Sequence, residues 1–134
     1  MQVNPYIFFN GNCRGAFEFY AKVLNGRIEA MITHAETPAS GSVDESWQSK
    51  ILHARLALGD RALMASDSPP QYGEANPSGF YVQLELETPE EAERVFNAFA
   101  EGGSIRMPME QTFWARRFGM LADKFNIPWM ISCT

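Results

Sequence analysis

In the stretch "KILHARLAL" a histidine and an arginine, His53 and Arg55, stand two residues apart. Leu52, Ala54, Leu56 and Leu58 alternate with them, so in an extended strand His53 and Arg55 share the face opposite the apolar side chains. An imidazole there can act as a general base, and the guanidinium beside it can hold an anionic group. Glu85, in "GFYVQLELE", is the carboxylate that would orient the imidazole or pair with Arg55 if the fold brought it close. The blander reading is a sheet-surface histidine bonded to a neighbour, with Arg55 and Glu85 as a structural ion pair. The other histidine, His34, falls near the end of a strand and reads as exposed.

Two further stretches, "RLALGDRALMAS" and "RRFGMLADKFNIPWMIS", share a strand–turn–strand plan and both end in Met-x-Ser. By strand phase Leu63 and Ala65 face a helix, which leaves Met64 and Ser66 on the other side; Trp129 and Ile131 leave Met130 and Ser132. In "GFYVQLELE", Phe80, Val82 and Leu84 take the helix side, and Tyr81, Gln83 and Glu85 the opposite one. Gln111, Phe113 and Trp114 fall in a loop between two strands. There Trp114 walls a cavity and Gln111 supplies a directional hydrogen bond, or the aromatic cluster plugs the end of a barrel. Asp67 reads as a turn former ahead of a proline pair.

The elements that must position these residues repeat. "PYIFF" reads as a strand. Asn12 caps a helix from about Cys13 to Leu24, with Ala16, Phe17, Tyr20, Val23 and Leu24 on one face, and "NG" ends it. "RIEAMITHA" follows as a strand. The loop from Glu36 to Ser49 is long enough to form a mobile lid, and two more strands come after it. After a linking loop over residues 67–78 the order recurs. Thr88-Pro89-Glu90-Glu91 starts a second helix with Ala92, Val95, Phe96 and Phe99 on its buried stripe, and Gly102-Gly103 stops it. Ala16, Tyr20, Val23 and Gly26 match Ala92, Phe96, Phe99 and Gly102 at an offset of 76 residues. Both halves therefore read β-α-β-β-β, the first over residues 1–66 and the second over residues 79–134.

At 134 residues the chain is one domain's worth, and 46% hydrophobic with 20% charged residues places it among soluble globular proteins. A net charge of −5 and no basic run beyond Arg116–Arg117 argue against a nucleic-acid partner. No apolar run is long enough for a membrane span, and the N-terminus lacks the features of a signal peptide, so a cytoplasmic location is expected. Cys13 and Cys133 form no metal or disulfide motif and read as small buried hydrophobes.

Tandem β-α-β-β-β modules, with "NPYIFFNGNCRGAFEFY", "LMASD" and "QTFWARRFGMLADKFNIPWMIS", resemble the PhnB-like branch of the vicinal oxygen chelate superfamily, which includes glyoxalases, bleomycin-resistance proteins and extradiol dioxygenases. The resemblance covers essentially the whole chain. It departs from the branch at Gln111 and at Asn126, where glycine is common, though asparagine tolerates the left-handed turn. It implies an α+β fold of two curved mixed half-barrels with helices on the convex sides, a cavity on the concave sides, and homodimers. The methyltransferase label carried by this branch finds no G-x-G-x-x-G motif or nucleotide-binding unit here.

The superfamily's metal enzymes bring four His and Glu ligands from four concave strand positions. Carried onto this chain, those positions fall on Pro5 (give or take one residue), Met64, Tyr81 and Met130. Thioethers and hydroxyls hold Mg, Mn, Ni or Zn poorly, so neither a metal nor another cofactor is expected. The function expected is metal-independent binding of a small organic molecule in a cavity lined by aromatic and methionine side chains. The alternatives are an isomerase, lyase or transferase using His53 with Arg55 or Glu85, a metal enzyme with an atypical site, and a structural dimer without ligand.

Overall fold

The computed structural model describes residues 1–134, and the chain divides into two units, Met1–Ala75 and Asn76–Thr134. The first holds β1 (Tyr6–Phe9), α1 (Cys13–Leu24), β2 (Arg27–Thr33), β3 (Ile51–Leu58) and β4 (Arg61–Asp67). The second holds β5 (Val82–Glu85), α2 (Pro89–Ala100), β6 (Ser104–Glu110), β7 (Arg117–Ala122) and β8 (Pro128–Cys133). Each unit is thus β-α-β-β-β. The sheet orders are β1-β4-β3-β2 and β5-β8-β7-β6, with β1 parallel to β4, β5 parallel to β8, and the remaining pairs antiparallel. These are the mixed, half-barrel-like sheets of the glyoxalase-type α+β fold.

Each helix covers one face of its sheet. In the first unit Ala16, Phe17, Tyr20 and Val23 of α1 are buried together with Ile7, Phe9, Ala54, Leu56, Leu63 and Ala65, and Phe17 meets Phe9 edge to face at 6.2 Å. In the second, Ala92, Val95, Phe96 and Phe99 of α2 are buried with Val82, Leu121, Trp129 and Ile131, and Phe99 meets Trp129 at 4.9 Å. Phe80 departs from its expected helix-side burial. It precedes β5, outside the pleat that would turn it inward, and is 49% exposed. In β3 the alternation slips at its start: Ile51 is buried where Leu52 was expected, because the β2–β3 register shifts between Ile32 and Thr33.

The helix starts differ. Thr88 Oγ1 accepts from the Glu91 N–H at 3.1 Å, as the sequence predicts for a capping residue. Asn12 occupies the equivalent position with no side-chain cap bond. The carboxylate that serves α1 comes from the end of β4: Asp67 accepts from the N–H groups of Gly11 (3.0 Å), Cys13 (2.9 Å) and Ile51 (2.9 Å) while 1% exposed. Asp67 is therefore the last residue of a strand and a buried cap, not a turn former. Burial, followed by the nearby Asp67, pushes the Cys13 thiol far above its ordinary pKa, so this side chain is the inert hydrophobe the sequence suggests.

Both helices leave through a left-handed residue followed by a glycine pressed on the sheet. Asn25 (φ 53°) and Gly102 (φ 74°) take the left-handed place. A Cβ on Gly26 would lie 2.7 Å from Leu58 Cδ2, and one on Gly103 would lie 2.2 Å from the Ala122 carbonyl oxygen. Gly26 thus corresponds to Gly103, and the offset grows by one residue past the helices. Asn126 also adopts φ 67°, as the turn requires.

The segment between β2 and β3 is built of short 3-10 turns at His34–Glu36, Pro38–Ser42 and Glu45–Trp47. His34 is 3% exposed, with both ring nitrogens enclosed and unpartnered, against the exposed position expected of it. Its backbone N–H donates to the Lys50 carbonyl at 3.0 Å, which continues the sheet pairing past the end of β2 and carries the residue inward. No helix of the chain is long and apolar enough to cross a membrane.

Candidate functional site

The face of the first sheet without the helix carries Tyr6, Met64, Arg55 and His53. Across the strands, Tyr6 pairs with Met64 and Met64 with Arg55. The Tyr6 hydroxyl lies 3.0 Å from His53 Nδ1, and the two rings stack at 5.8 Å. Burial first, then Cys13, raises the Tyr6 pKa, so the phenol keeps its proton. Arg55 Nε donates to Glu29 Oε1 at 3.0 Å, and its Nη1 rests 3.5 Å from Met64 Sδ. The carboxylate beside Arg55 is thus Glu29, of the neighbouring strand β2. Ser66 is 7% exposed, its hydroxyl 3.3 Å from the Asp67 carbonyl.

On the second sheet the corresponding row is Gln83, Met130, Met120 and Met107, one residue from each strand in order. Tyr81 lies just before β5 and accepts from Arg106 Nη1 at 3.1 Å, with the guanidinium 5.6 Å from the ring centroid. Since β5 and β6 are opposite edges of this sheet, that contact shows how strongly the sheet rolls. Glu85 is held inside its own unit: Oε2 accepts from the Thr134 N–H and hydroxyl, both at 2.7 Å, and Oε1 from Ser132 Oγ at 2.9 Å and Gln83 Nε2 at 3.3 Å. The structure therefore keeps His53 and Arg55 on one open face, bonded to Tyr6 and Glu29 respectively, and groups Glu85 with Gln83 and Ser132.

Burial alone would raise the Glu85 pKa, but the bonds from Thr134, Ser132 and Gln83 outweigh it and hold the carboxyl below its ordinary range. A depressed pKa stabilises the fold above the unfolded carboxylate value of roughly 4.3, and that contribution is lost as pH falls through the folded value. Glu85→Gln should therefore flatten the acid side of a stability-against-pH curve below about pH 5. Urea melts from pH 7 to pH 3 check this; an unchanged acid slope would contradict it.

Gln111 and Trp114 line a surface depression of about 240 Å³ with Phe113, Arg116 and Thr134. Trp114 is 50% exposed and packs edge to face on Phe118 at 5.3 Å, while Phe113 is almost wholly exposed. Tyr6 stands one residue from the expected Pro5, within the tolerance of that position, whereas Glu29, Arg106, Met107 and Met120 were not among the expected neighbours of the site. The alternation of "PYIFF" could have fixed that position on Tyr6; the two bulges in β6 hide the phase of Arg106 and Met107.

A model of the family described as 3-demethylubiquinone-9 3-methyltransferase matches residues 1–132. The chain belongs to that family. Protein YjdN of Escherichia coli (strain K12) is 35% identical over 98% of this chain and 95% of its own length. The crystal structure of protein PA1353 from Pseudomonas aeruginosa is 47% identical, covers 99% of this chain and 97% of that one, and superposes with a TM-score of 0.92. A PhnB protein of Bacillus cereus shares the fold at 22% identity and a TM-score of 0.83, with both chains wholly covered. The chain is thus a PhnB-like member of the vicinal oxygen chelate superfamily.

The divalent ion used by metal enzymes of that superfamily does not fit the residues present. On the sheets' open faces the first-strand position is Tyr6, because Pro5 shares the phase of buried Ile7; Gln83 pairs with Met130 as Tyr6 does with Met64. The four positions therefore hold a phenol, an amide and two thioethers, and no three His, Cys, Asp or Glu side chains gather where they could hold an ion.

Proposed function

We propose that this PhnB-like protein is a metal-independent binding protein for a small aromatic or amphipathic anion, working as a homodimer. The observation that carries the reading is the grouping of Tyr6, His53, Arg55 and Met64 on one open sheet face. Tyr6, 42% exposed, offers an aromatic surface, and Met64 a polarisable one. Arg55 is committed at Nε to Glu29, and its Nη2 is left for an anion. With the Tyr6 phenol donating to Nδ1, the neutral imidazole carries its proton on Nε2 and presents a second donor. The row Gln83, Met130, Met120, Met107 offers the second unit a comparable soft surface.

The same Tyr6–His53 bond favours a second reading, a proton-transfer enzyme in which Tyr6 positions the imidazole. That role needs the opposite tautomer, with a bare Nε2 to act as base.

Salicylate, an aromatic carboxylate, is a suitable probe. Calorimetric titration in EDTA is expected to give saturable binding that Arg55→Met weakens by roughly 10-fold or more, the range for losing a charge-assisted hydrogen bond. Binding only after addition of a divalent ion, or affinity indifferent to Arg55→Met, would overturn the reading. His53→Ala should weaken binding only a few-fold; loss of a catalysed reaction with salicylate affinity intact would favour the enzyme.

A further inference from the structure

Three of the chain's methionines stand shoulder to shoulder. Met130 of β8 pairs with Met120 of β7, and Met120 pairs with Met107 of β6. Directly paired residues on adjacent strands project to the same side of a sheet. That side is the open one: Trp129, Ile131 and Leu121, their chain neighbours, are fully buried under α2, and Gly119 faces the Phe96 ring. The three methionines are not core side chains. Met107 is 45% exposed, and Met120 and Met130 are half-buried.

Neighbouring strands lie roughly 4.8 Å apart, so the outer two backbones of the row are about 10 Å apart with Met120 between them. Unbranched side chains with three rotatable bonds can close that gap onto one point. Three converging thioethers are a poor site for hard or borderline divalent ions but a good one for a soft monovalent ion, for which sulfur ligands select.

We propose that Met107, Met120 and Met130 form an S3 thioether site for Cu(I), with Ag(I) as its redox-inert equivalent. The site is independent of the organic-anion surface on the first unit. Arg106, next to Met107 in the chain, is a like charge; its guanidinium is drawn to the Tyr81 hydroxyl and ring. The ion's single charge keeps that repulsion smaller than a divalent ion would meet.

The test is an anaerobic titration of the full chain against a chromogenic Cu(I) chelator, repeated with Ag(I). One ion per chain is expected. Met120→Leu, which conserves volume, should weaken binding by 10-fold or more with an unchanged melting curve, and Met107→Leu and Met130→Leu should each weaken it. Met64→Leu, in the other unit, should leave it intact. Failure to compete with the chelator would overturn the proposal. So would full affinity in Met120→Leu, or loss of the ion on Cys13→Ala or Cys133→Ala with the methionines in place, since a thiolate would then be the ligand.

Discussion

Asp67→Ala is expected to destabilise the chain by roughly 3 kcal/mol or more, because it leaves three donors without an acceptor and each buried unsatisfied group costs about 1–3 kcal/mol. The donors are the N–H groups of Gly11, Cys13 and Ile51, which join the β1–α1 turn, the first turn of α1 and the start of β3 to the end of β4. At this chain length the loss corresponds to a melting temperature lower by on the order of 10 °C. Asp67→Asn should fall between the two. Its remaining oxygen can serve Gly11 and Cys13, both of which use Oδ1, but its amide would face the Ile51 N–H donor to donor. Calorimetric melts of the three proteins check the order. An alanine variant as stable as the asparagine one would show that water replaces the carboxylate at no cost.

Gly103→Ala is expected to cost about 3 kcal/mol or more and to fall on the second unit, since the new Cβ would sit 2.2 Å from the Ala122 carbonyl oxygen and 3.0 Å from Asp123 backbone atoms. Backbone cannot swing aside as a side-chain end can, so β6 would have to part from β7 where the helix delivers the chain. Gly102→Ala separates this from conformational strain alone. That residue holds φ 74° but meets only Lys124 side-chain atoms, at 3.3 Å and beyond, so it should cost about 1–2 kcal/mol. Gly41→Ala, with nothing within 4 Å, is the neutral control. Equal losses at Gly102 and Gly103 would contradict the steric explanation.

The module repeat was legible because both helices carry strong amphipathic stripes and because Leu63 and Ala65 in β4, and Trp129 and Ile131 in β8, are buried on either side of the half-buried Met64 and Met130, as the period-two pattern requires. What escaped the sequence is non-local or irregular. Asp67 caps a helix that begins 54 residues earlier, a bond no local signature encodes. Asn12 has the right side chain for a cap and makes no such bond. A register shift moves the buried position from Leu52 to Ile51, and the start of β5 at Val82 releases Phe80 from the pleat. His34 is carried inward by a backbone pairing that continues past the end of β2. At the site, the shared face of His53 and Arg55 was readable from alternation. Their actual partners, Tyr6 and Glu29, lie on strands whose order in the sheet had to be seen.

Metal-independent binding on the open sheet faces is tested most directly by methyl spectra of the protein labelled at its methionine methyl groups, in EDTA, titrated with salicylate. Met64 reports the Tyr6–His53–Arg55 face, and Met130 and Met120 report the row on the second sheet. The expected result is a saturable shift of the Met64 methyl with no divalent ion present, lost in Arg55→Met. A Met64 signal that stays fixed through the titration, or that moves only once a divalent ion is added, would contradict it.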